Sequence, residues 1–278
     1  MKIALGSVQW GLNYGISNQE GVPSKCELER ILSFANQSGI NLLDTASSYG
    51  NAEERIGDHS KHKFKIVTKI GAADNSETIE KQIKTSLKKL KSSFVYGCLF
   101  HDISKILRFP SMWEEIQIQK NKGLIKKIGV SIYDPNELEK LFKLNYKPEI
   151  IQIPFNIVDR RFEPYFKNLT EMKIEIHARS IFLQGLLVDL KTMKKLKFVK
   201  WKQIWEKYHE WLAFSNLSPI EACISHVSSY ECISKLVIGI HNLSQLKEII
   251  LATKKKSIRA PKSILSTDNK LINPSLWI

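Results

Sequence analysis

The sequence predicts an α/β protein with a single domain, a closed (β/α)8 barrel. Short apolar runs of strand length alternate with longer stretches whose apolar residues recur at helical spacing, and this unit occurs eight times. No shift in composition and no linker rich in proline, glycine or serine divides the 278 residues. Strands that alternate with helices form a parallel sheet, and eight such units in one chain of this length favour the TIM-barrel architecture.

The predicted strands are short apolar runs that recur along the whole chain. They are Ile3–Val8, Ile40–Leu43, Lys65–Thr68, Gly97–Phe100, Lys127–Ser131, Ile150–Ile153, Ile174–Ala178 and Leu236–Ile238. The predicted helices are Glu27–Gln37, Ala52–Gly57, Glu77–Leu90, Met112–Lys122, Asn136–Leu144, Glu163–Thr170, Phe198–Phe214, Pro219–Val227 and Leu243–Thr253. We expect residues 1–278 to form the barrel domain, with residues 254–278 as an irregular tail over it.

Composition restricts the class of protein. Hydrophobic residues make up 43% of the chain, which is enough for a large buried core. The excess of 42 basic over 28 acidic residues gives a net charge of +14, which attracts anions in general. Much of this excess lies in lysine runs typical of solvated helix faces, so nucleic-acid binding ranks last among the functions considered.

The cysteines and apolar runs favour a cytoplasmic protein without metal. None of Cys26, Cys98, Cys223 and Cys232 has a spacing that indicates a zinc site, and reduced thiols fit best. Cys98 is predicted in the barrel core, and the other three between packed helices. The apolar stretch at the start is too short for a signal-peptide core, and no run approaches the roughly 20 residues that span a bilayer.

Four titratable side chains lie at the ends of three consecutive predicted strands. Asp44 ends the second strand and Tyr49 stands in the loop after it, while Lys69 and His101 follow the third and fourth strands. Active sites of such barrels form where strands end and the following loops begin. Each residue alone is commonly a helix cap, a salt bridge or a structural histidine, but their joint placement favours a catalytic group.

These four side chains suit proton donation to a carbonyl oxygen. A tyrosine has a pKa near 10, and the ammonium of Lys69 would stabilise the phenolate of Tyr49 and lower that pKa. Asp44 supplies the counter-ion that a buried lysine needs, and His101 can donate a hydrogen bond to a substrate oxygen or relay a proton. Because no side chain provides a hydride, carbonyl reduction would require a nicotinamide cofactor.

The segment from Asp44 to Gly57, DTASSYGNAEERIG, resembles the D-T-A-x-x-Y-G-x-x-E-x-x-x-G signature of the aldo-keto reductase superfamily. The resemblance continues through Val67–Lys69, His101–Asp102, Gly129–Ser131, Gln152–Asn156, Phe182–Leu187 and Ile238–Gly239. It implies a (β/α)8 barrel and a catalytic tetrad of Asp44, Tyr49, Lys69 and His101. The implied activity is reversible reduction of an aldehyde or ketone.

The resemblance also implies a cofactor site for NADPH, with NADH as the alternative. Trp10 would flank the nicotinamide, Ser131 and Gln152 would bind its carboxamide, and Arg179 stands where an aromatic residue often stacks on the ring. The remaining positions lie along the pyrophosphate, at Ser180, Phe182, Gln184 and Gly185, and around the adenosine, at Gly239, Gln245 and Glu248. Gln245 occupies the place of an arginine that often binds the 2′-phosphate, which weakens the prediction of NADPH.

The first and last segments, Leu5–Asn18 and Leu271–Trp277, resemble a bacterial branch often associated with polysaccharide biosynthesis and nucleotide-sugar pathways. That likeness favours a sugar-like or other polar small-molecule carbonyl substrate, with neither nucleic acid nor membrane as a partner. The alternative is a non-catalytic barrel that senses the cofactor or serves as a scaffold subunit.

Two further clusters have competing interpretations. Trp201, Trp205, Tyr208 and Trp211 lie at helical spacing, and we interpret them as the barrel-facing stripe of a helix rather than a stacking platform for bases. Residues 159–161, Asp-Arg-Arg, are equally consistent with a substrate-anion site and with a salt-bridge network.

Overall fold

The computed structural model describes residues 1–16, 18, 20–59, 63–71 and 78–277. In these ranges eight parallel strands close into a barrel, each pairing with the next and the last with the first. The strands are β1 (Ile3–Gly6), β2 (Leu42–Asp44), β3 (Lys65–Ile70), β4 (Val95–Phe100), β5 (Ile125–Ser131), β6 (Ile150–Pro154), β7 (Glu175–Arg179) and β8 (Ile233–Gly239). The predicted single-domain (β/α)8 barrel is confirmed.

Helices connect the strands and surround the barrel. They are α1 (Val8–Gly11), α2 (Lys25–Gln37), α3 (Ala52–Asp58), α4 (Ile79–Leu90), α5 (Ser104–Arg108), α6 (Ser111–Asn121), α7 (Pro135–Lys143), α8 (Phe166–Glu171), α9 (Leu196–Val199), α10 (Lys202–Ser215), α11 (Pro219–Ser228), α12 (Leu243–Ala252) and α13 (Asn269–Ile272). Short 3-10 turns occupy Glu163–Tyr165, Leu183–Gly185, Thr192–Lys194, Lys262–Ile264 and Pro274–Leu276. Within the described residues, no helix combines the length and apolarity needed to cross a bilayer.

Apolar side chains from six strands form a small cluster separate from the one under the helices. Its buried members are Ala4, Leu42, Val67, Leu99, Ile150 and Val237. Side chains point alternately to the two faces of a strand, so one set fills the barrel and the other packs against the helices. Burial of each valine, leucine or isoleucine side chain contributes about 1.5–3 kcal/mol, which makes the strand ends a rigid platform.

The predicted helix Phe198–Phe214 is two helices, α9 and α10. The break falls at Trp201, whose backbone leaves the helical region and whose indole Nε1 donates a hydrogen bond to Asp268 Oδ2 at 3.0 Å. The other three aromatic residues of the stripe are buried, Tyr208 completely, as predicted for a helix that faces the barrel. Trp201 is only half-buried: its ring packs against the edge of the core, 6.2 Å from the Phe198 ring between centroids, while its indole nitrogen binds the Asp268 carboxylate.

Other elements differ in detail from the predictions. The predicted helix Glu163–Thr170 begins as a 3-10 turn and continues as α8, and the strand predicted at Ile3–Val8 ends at Gly6, where α1 follows. Helix α5 was not predicted, since five residues carry too little periodicity. Glu77, the predicted start of a helix, lies outside the described residues. Helix α4 extends from Ile79, with Thr78 as its N-cap.

The tail after Lys254 is more ordered than the sequence suggested. It contains α13 and two 3-10 turns, and Leu271, Ile272 and Trp277 are buried. The Trp277 ring packs edge-on against Phe198, with ring centroids 4.9 Å apart. Cys98 and Cys223 are buried as predicted, but the assignment of Cys26 to helix packing is wrong, since it lies on the exposed side of the amphipathic helix α2.

Candidate active site

The centre of the site is a buried ion pair between β2 and β3. Lys69 Nζ donates to Asp44 Oδ2 at 2.6 Å and to the carbonyl of Thr45 at 3.2 Å. The other carboxylate oxygen, Asp44 Oδ1, accepts a 2.7 Å hydrogen bond from Gln152 Nε2 on β6. Because both oxygens are bound and the side chains are only 4% and 1% exposed, Asp44 fixes the position of the Lys69 ammonium.

Tyr49 lies in the loop after β2, beside Lys69 and His101. Lys69 Nζ is 5.3 Å from the centroid of the phenol ring, and the His101 ring meets it edge-on at 5.8 Å between centroids. His101 Nδ1 lies 3.3 Å from Ser48 Oγ, the residue before the tyrosine. The predicted tetrad therefore converges on one place.

The loop that carries Tyr49 is held by close backbone packing on one side and by a buried hydrogen bond on the other. A Cβ on Gly11 would lie 1.9 Å from the Tyr49 carbonyl oxygen, so only glycine allows α1 to pass this close to the loop. On the other side, Thr68 Oγ1 of β3 donates a 2.6 Å hydrogen bond to Glu53 Oε1 of α3. These contacts hold the tyrosine loop between α1 and β3.

Burial and charge define the protonation states. Burial raises the pKa of Tyr49 above 10, and Lys69, which acts to lower that pKa, only partly offsets it. Lys69 therefore acts on the pKa of Tyr49 in the predicted direction, but desolvation outweighs it. Burial acts to lower the pKa of Lys69, yet Asp44 and Tyr49 outweigh it and the pKa is raised. Burial, followed by the charge of Lys69, lowers the pKa of His101 to about 4. At neutral pH the phenol and imidazole are neutral and the lysine is charged.

A cavity of about 600 Å³ extends from this group to the start of α12. Thirteen of the predicted site residues line it: Asp44, Tyr49, His101, Ser131, Gln152, Arg179, Ser180, Phe182, Gln184, Gly185, Gly239, Gln245 and Glu248. Lys69 lies behind Asp44 and Tyr49. The cavity has the size of sites that enclose cofactors and small ligands.

Trp10, the rim residue expected to flank the nicotinamide, is not among the described residues that line the cavity. Trp10 is fully buried, and its indole Nε1 donates a 3.1 Å hydrogen bond to the carbonyl of Ile240. The short helix α1 turns this side chain inward toward the residues after β8, so it supports the wall of the cavity from behind.

The side chains along the cavity suit a dinucleotide. Ser131 and Gln152 pair in register on β5 and β6, and Gln152 uses its amide nitrogen on Asp44, which leaves the amide oxygen for another partner. His241, which also lines the cavity, is 6% exposed, and neither of its ring nitrogens has a hydrogen-bond partner in the part of the chain that the structure describes. Buried polar atoms of this kind are normally satisfied, so the cavity wall fits a polar ligand.

The loop after β7 has an unusual backbone. Ser180, Leu183 and Gln184 all adopt left-handed conformations, with φ of 57°, 47° and 53°. Such residues cost about 1 kcal/mol or more each and cluster at ligand sites. Gln184 Nε2 donates a 2.8 Å hydrogen bond to the hydroxyl of Tyr14, which joins the first and seventh strand–helix loops across the cavity mouth.

Several lining residues had not been singled out from the sequence. Tyr14, Ser48, Tyr133 and His241 all line the cavity. Tyr133 and His241 each lie two residues after a strand end, so the rule that located the tetrad could have located them too. Of residues 159–161, Asp159 and Arg161 form a salt bridge, with Nε and Nη2 of Arg161 at 2.9 and 3.0 Å, whereas Arg160 donates to backbone carbonyls. In the described ranges no three side chains of the metal-binding types form a cluster.

Comparison with known proteins agrees with the barrel and its polar centre. The model of the aldo/keto reductase family matches residues 2–262, and the chain belongs to this family. It is 27% identical over 249 residues to the uncharacterized oxidoreductase YqkF of Bacillus subtilis, with 80% of each chain covered. It is 26% identical over 172 residues to glyoxal reductase of the same organism, covering 58% of this chain and 60% of the relative.

Solved structures show the same fold. Aldo-keto reductase AKR11C1 from Bacillus halodurans (holo form) superposes with a TM-score of 0.73 and 19% identity, over 92% of this chain and 88% of the other. Membership of the family makes this protein an NAD(P)H-dependent oxidoreductase that acts on carbonyl compounds.

Proposed function

We propose that this enzyme reduces the carbonyl group of a small polar aldehyde or ketone and that Tyr49 donates the proton. The observation that supports this most directly is a neutral phenol beside a charged, buried lysine at one end of the cavity. A general acid must hold its proton in the ground state and be stabilised after losing it. Burial of Tyr49 meets the first requirement and the ammonium of Lys69 meets the second.

Each side chain of the tetrad then has one role. A bound reduced nicotinamide supplies the hydride that adds to the carbonyl carbon. Tyr49 Oη gives its proton to the carbonyl oxygen as that oxygen becomes an alkoxide, and Lys69 stabilises the phenolate that remains. Asp44 holds the ammonium in place. His101, a neutral imidazole whose Nδ1 lies 3.3 Å from Ser48 Oγ, would orient the carbonyl oxygen through Nε2 in the tautomer that carries its proton there.

The polar residues along the cavity are proposed to hold the cofactor. Ser131 and Gln152 would bind the carboxamide, and the loop at residues 180–185 would follow the pyrophosphate. The resemblance favours NADPH, but the end assigned to the adenosine is lined by Glu248 and neutral Gln245, with no lysine or arginine among the described lining residues there. A carboxylate repels a 2′-phosphate, so this observation supports the alternative, NADH.

The substrate is proposed to be polar, with a sugar-type carbonyl as the leading class. The catalytic end of the cavity is lined by the hydroxyls of Tyr14, Ser48 and Tyr133 and by the guanidinium of Arg179. These groups offer several hydrogen bonds to a hydroxylated substrate. The alternative of a non-catalytic sensor or scaffold subunit is less well supported, because such a barrel has no use for the ordered ion pair behind Tyr49.

The test is the Tyr49→Phe variant, which removes the proton and little else. We expect the turnover number to fall about a hundredfold to ten-thousandfold, while the nucleotide dissociation constant measured by fluorescence stays the same. Tyr165→Phe is the matched control, since it removes a tyrosine hydroxyl bound to Glu139 outside the cavity. Near-normal turnover in Tyr49→Phe would disprove the role of the tyrosine.

The sensor alternative is tested on the wild-type protein. Nucleotide oxidation is followed by absorbance with NADPH and with NADH, against a panel of aldehydes, sugars and nucleotide sugars. Tight nucleotide binding without oxidation across the panel would favour the sensor, whereas turnover that requires Tyr49 supports the reductase.

A further inference from the structure

Among the described residues, the catalytic end of the cavity carries one positive charge without a counter-ion. The charged or titratable groups that line it, tyrosines aside, are Asp44, His101 and Arg179. Asp44 is neutralised by Lys69 behind it, and His101 is neutral at physiological pH. The guanidinium of Arg179 therefore sets the net charge of the space in front of Tyr49.

The neighbours of Arg179 hold its side chain in place but use only some of its hydrogen-bond donors. The guanidinium carbon lies 3.8 Å from the centroid of the Tyr133 ring, a cation–π stack. Its Nη2 donates to the carbonyl of Ile132 at 3.2 Å, and its Nη1 makes a long 3.4 Å contact to Ser180 Oγ. A guanidinium carries five N–H donors, so most of them stay available.

No described carboxylate forms an ion pair with Arg179. Arg179 acts to lower the pKa of Asp159, although burial raises that pKa overall. The two carboxylate oxygens of Asp159 are already bound by Arg161, at 2.9 and 3.0 Å. A fixed arginine that lacks an acidic partner and faces a ligand cavity is the arrangement that proteins use to bind carboxylate or phosphate groups.

We propose that Arg179 binds an anionic group of the substrate, so that this enzyme prefers carbonyl compounds that carry a carboxylate or a phosphate. The proposal rests on the proposed function, because it concerns the same cavity and names the substrate class more closely. Arg179 lies at the end of β7, paired in register with Pro154, and its side chain stacks on the loop after β5. An anion bound there would lie in the cavity that Tyr49 also lines.

The positive charge of Arg179 also influences Tyr49 and His101. Its charge acts to lower the pKa of Tyr49 and contributes to the low pKa of His101. A charge that influences both of these groups is close to the carbonyl oxygen that they would contact. This favours a substrate anion near the carbonyl. Because Nη1 of Arg179 also contacts Ser180 Oγ, at the start of the proposed pyrophosphate path, nucleotide affinity is measured together with substrate preference.

The experiment compares matched pairs of substrates that differ by one anionic group. D-glucuronate is compared with D-glucose, and glyceraldehyde 3-phosphate with glyceraldehyde, which separates a carboxylate from a phosphate. The quantity measured is the ratio of kcat/KM for the anionic member to that for the neutral member. The variants are Arg179→Gln, Arg179→Lys and the control Arg108→Gln, which removes an exposed arginine stacked on Phe109 outside the cavity.

We expect the wild-type ratio to exceed 1 for at least one pair and to fall at least tenfold in Arg179→Gln, since a charge-assisted bidentate contact is lost. Arg179→Lys should keep part of the ratio, and Arg108→Gln all of it. The nucleotide dissociation constant should be unchanged in Arg108→Gln, and it is also measured in the Arg179 variants because Arg179 adjoins the proposed cofactor path. A ratio that does not change in Arg179→Gln overturns the proposal, and a weaker nucleotide affinity with an unchanged ratio assigns the guanidinium to the cofactor instead.

A binding measurement separates this proposal from the proposed function. Glucarate has two carboxylates and no carbonyl, so its calorimetric binding requires no turnover. Binding to the wild type that weakens at least tenfold in Arg179→Gln supports the anion site even if no carbonyl compound is reduced. Reduction of neutral aldehydes without glucarate binding and without any preference for anionic substrates refutes the anion site and leaves the reductase in place.

Discussion

Replacement of Lys69 by methionine should destabilise the protein far more than replacement of an equally short but exposed ion pair. Lys69 and Asp44 are 1% and 4% exposed and their charged atoms are 2.6 Å apart. Lys69→Met leaves the carboxylate buried with only Gln152 Nε2 and no opposite charge, and loss of one partner of a buried pair costs about 3–5 kcal/mol. Lys84→Met is the control, because Lys84 and Glu80 are 2.7 Å apart but 64% and 38% exposed. We expect the control to cost about 0.5 kcal/mol or less.

The double variant Asp44→Asn/Lys69→Met separates stability from catalysis. Without the uncompensated charge, most of the lost unfolding free energy should return, because a neutral pair of similar volume is tolerated. Turnover should not return, since Tyr49 then lacks the ammonium that stabilises its phenolate. Urea unfolding followed by circular dichroism gives the free energies, and nucleotide absorbance gives the turnover.

Two results would refute this reasoning. Equal losses for Lys69→Met and Lys84→Met would show that the Asp44 carboxylate keeps its hydration in the folded protein. A double variant as unstable as the sum of its single variants would show that the two side chains act independently.

Two further predictions concern His101 and the tyrosine loop. The folded pKa of His101, about 4, is below its unfolded value of 6.5, so the unfolded chain binds more protons between these values and stability is lost as pH falls through this window. His101→Gln should remove this contribution to the pH dependence of the unfolding free energy, which is at most about 1.4 kcal/mol per pH unit. The free energy is measured by urea unfolding from pH 4 to 6.5. Identical slopes for the wild type and the variant would contradict the low pKa of His101. Gly11→Ala places a methyl group 1.9 Å from the Tyr49 carbonyl oxygen, so the backbone must shift. We expect the free energy of unfolding to fall by about 1–3 kcal/mol and turnover to decrease. Wild-type values for both would show that α1 shifts away from the Tyr49 loop at little cost.

The sequence predicted the barrel and the tetrad because both depend on regular rules. Apolar runs at strand length reveal the strands, and in a parallel barrel all strand ends lie on one face. Asp44, Lys69 and His101 each follow a strand, so their convergence required no knowledge of the loops. Tyr49 lies five residues beyond Asp44, and only the motif around it indicated that the loop turns back over the barrel.

The features that the sequence did not predict depend on local backbone geometry. Whether Trp10 lies in the wall or at the rim is decided by the single turn of α1, which points the indole to the carbonyl of Ile240. Ser180, Leu183 and Gln184 adopt left-handed backbone conformations that their side chains disfavour. The sequence pattern therefore does not predict these conformations. The break at Trp201 likewise depends on a distant hydrogen bond to Asp268.

The two cations near Tyr49 act on different negative charges. Lys69 is bound to Asp44, so its charge is balanced before substrate arrives and it serves the phenolate that forms when Tyr49 loses its proton. A substrate carboxylate held close to the carbonyl would repel the alkoxide that develops there, and the repulsion is strong where water is excluded. Arg179 stands free of carboxylate partners in the described part of the chain and can neutralise that carboxylate. An enzyme for neutral aldehydes alone would have no need for a half-buried guanidinium that is stacked on the exposed ring of Tyr133 and lines the same cavity as its general acid.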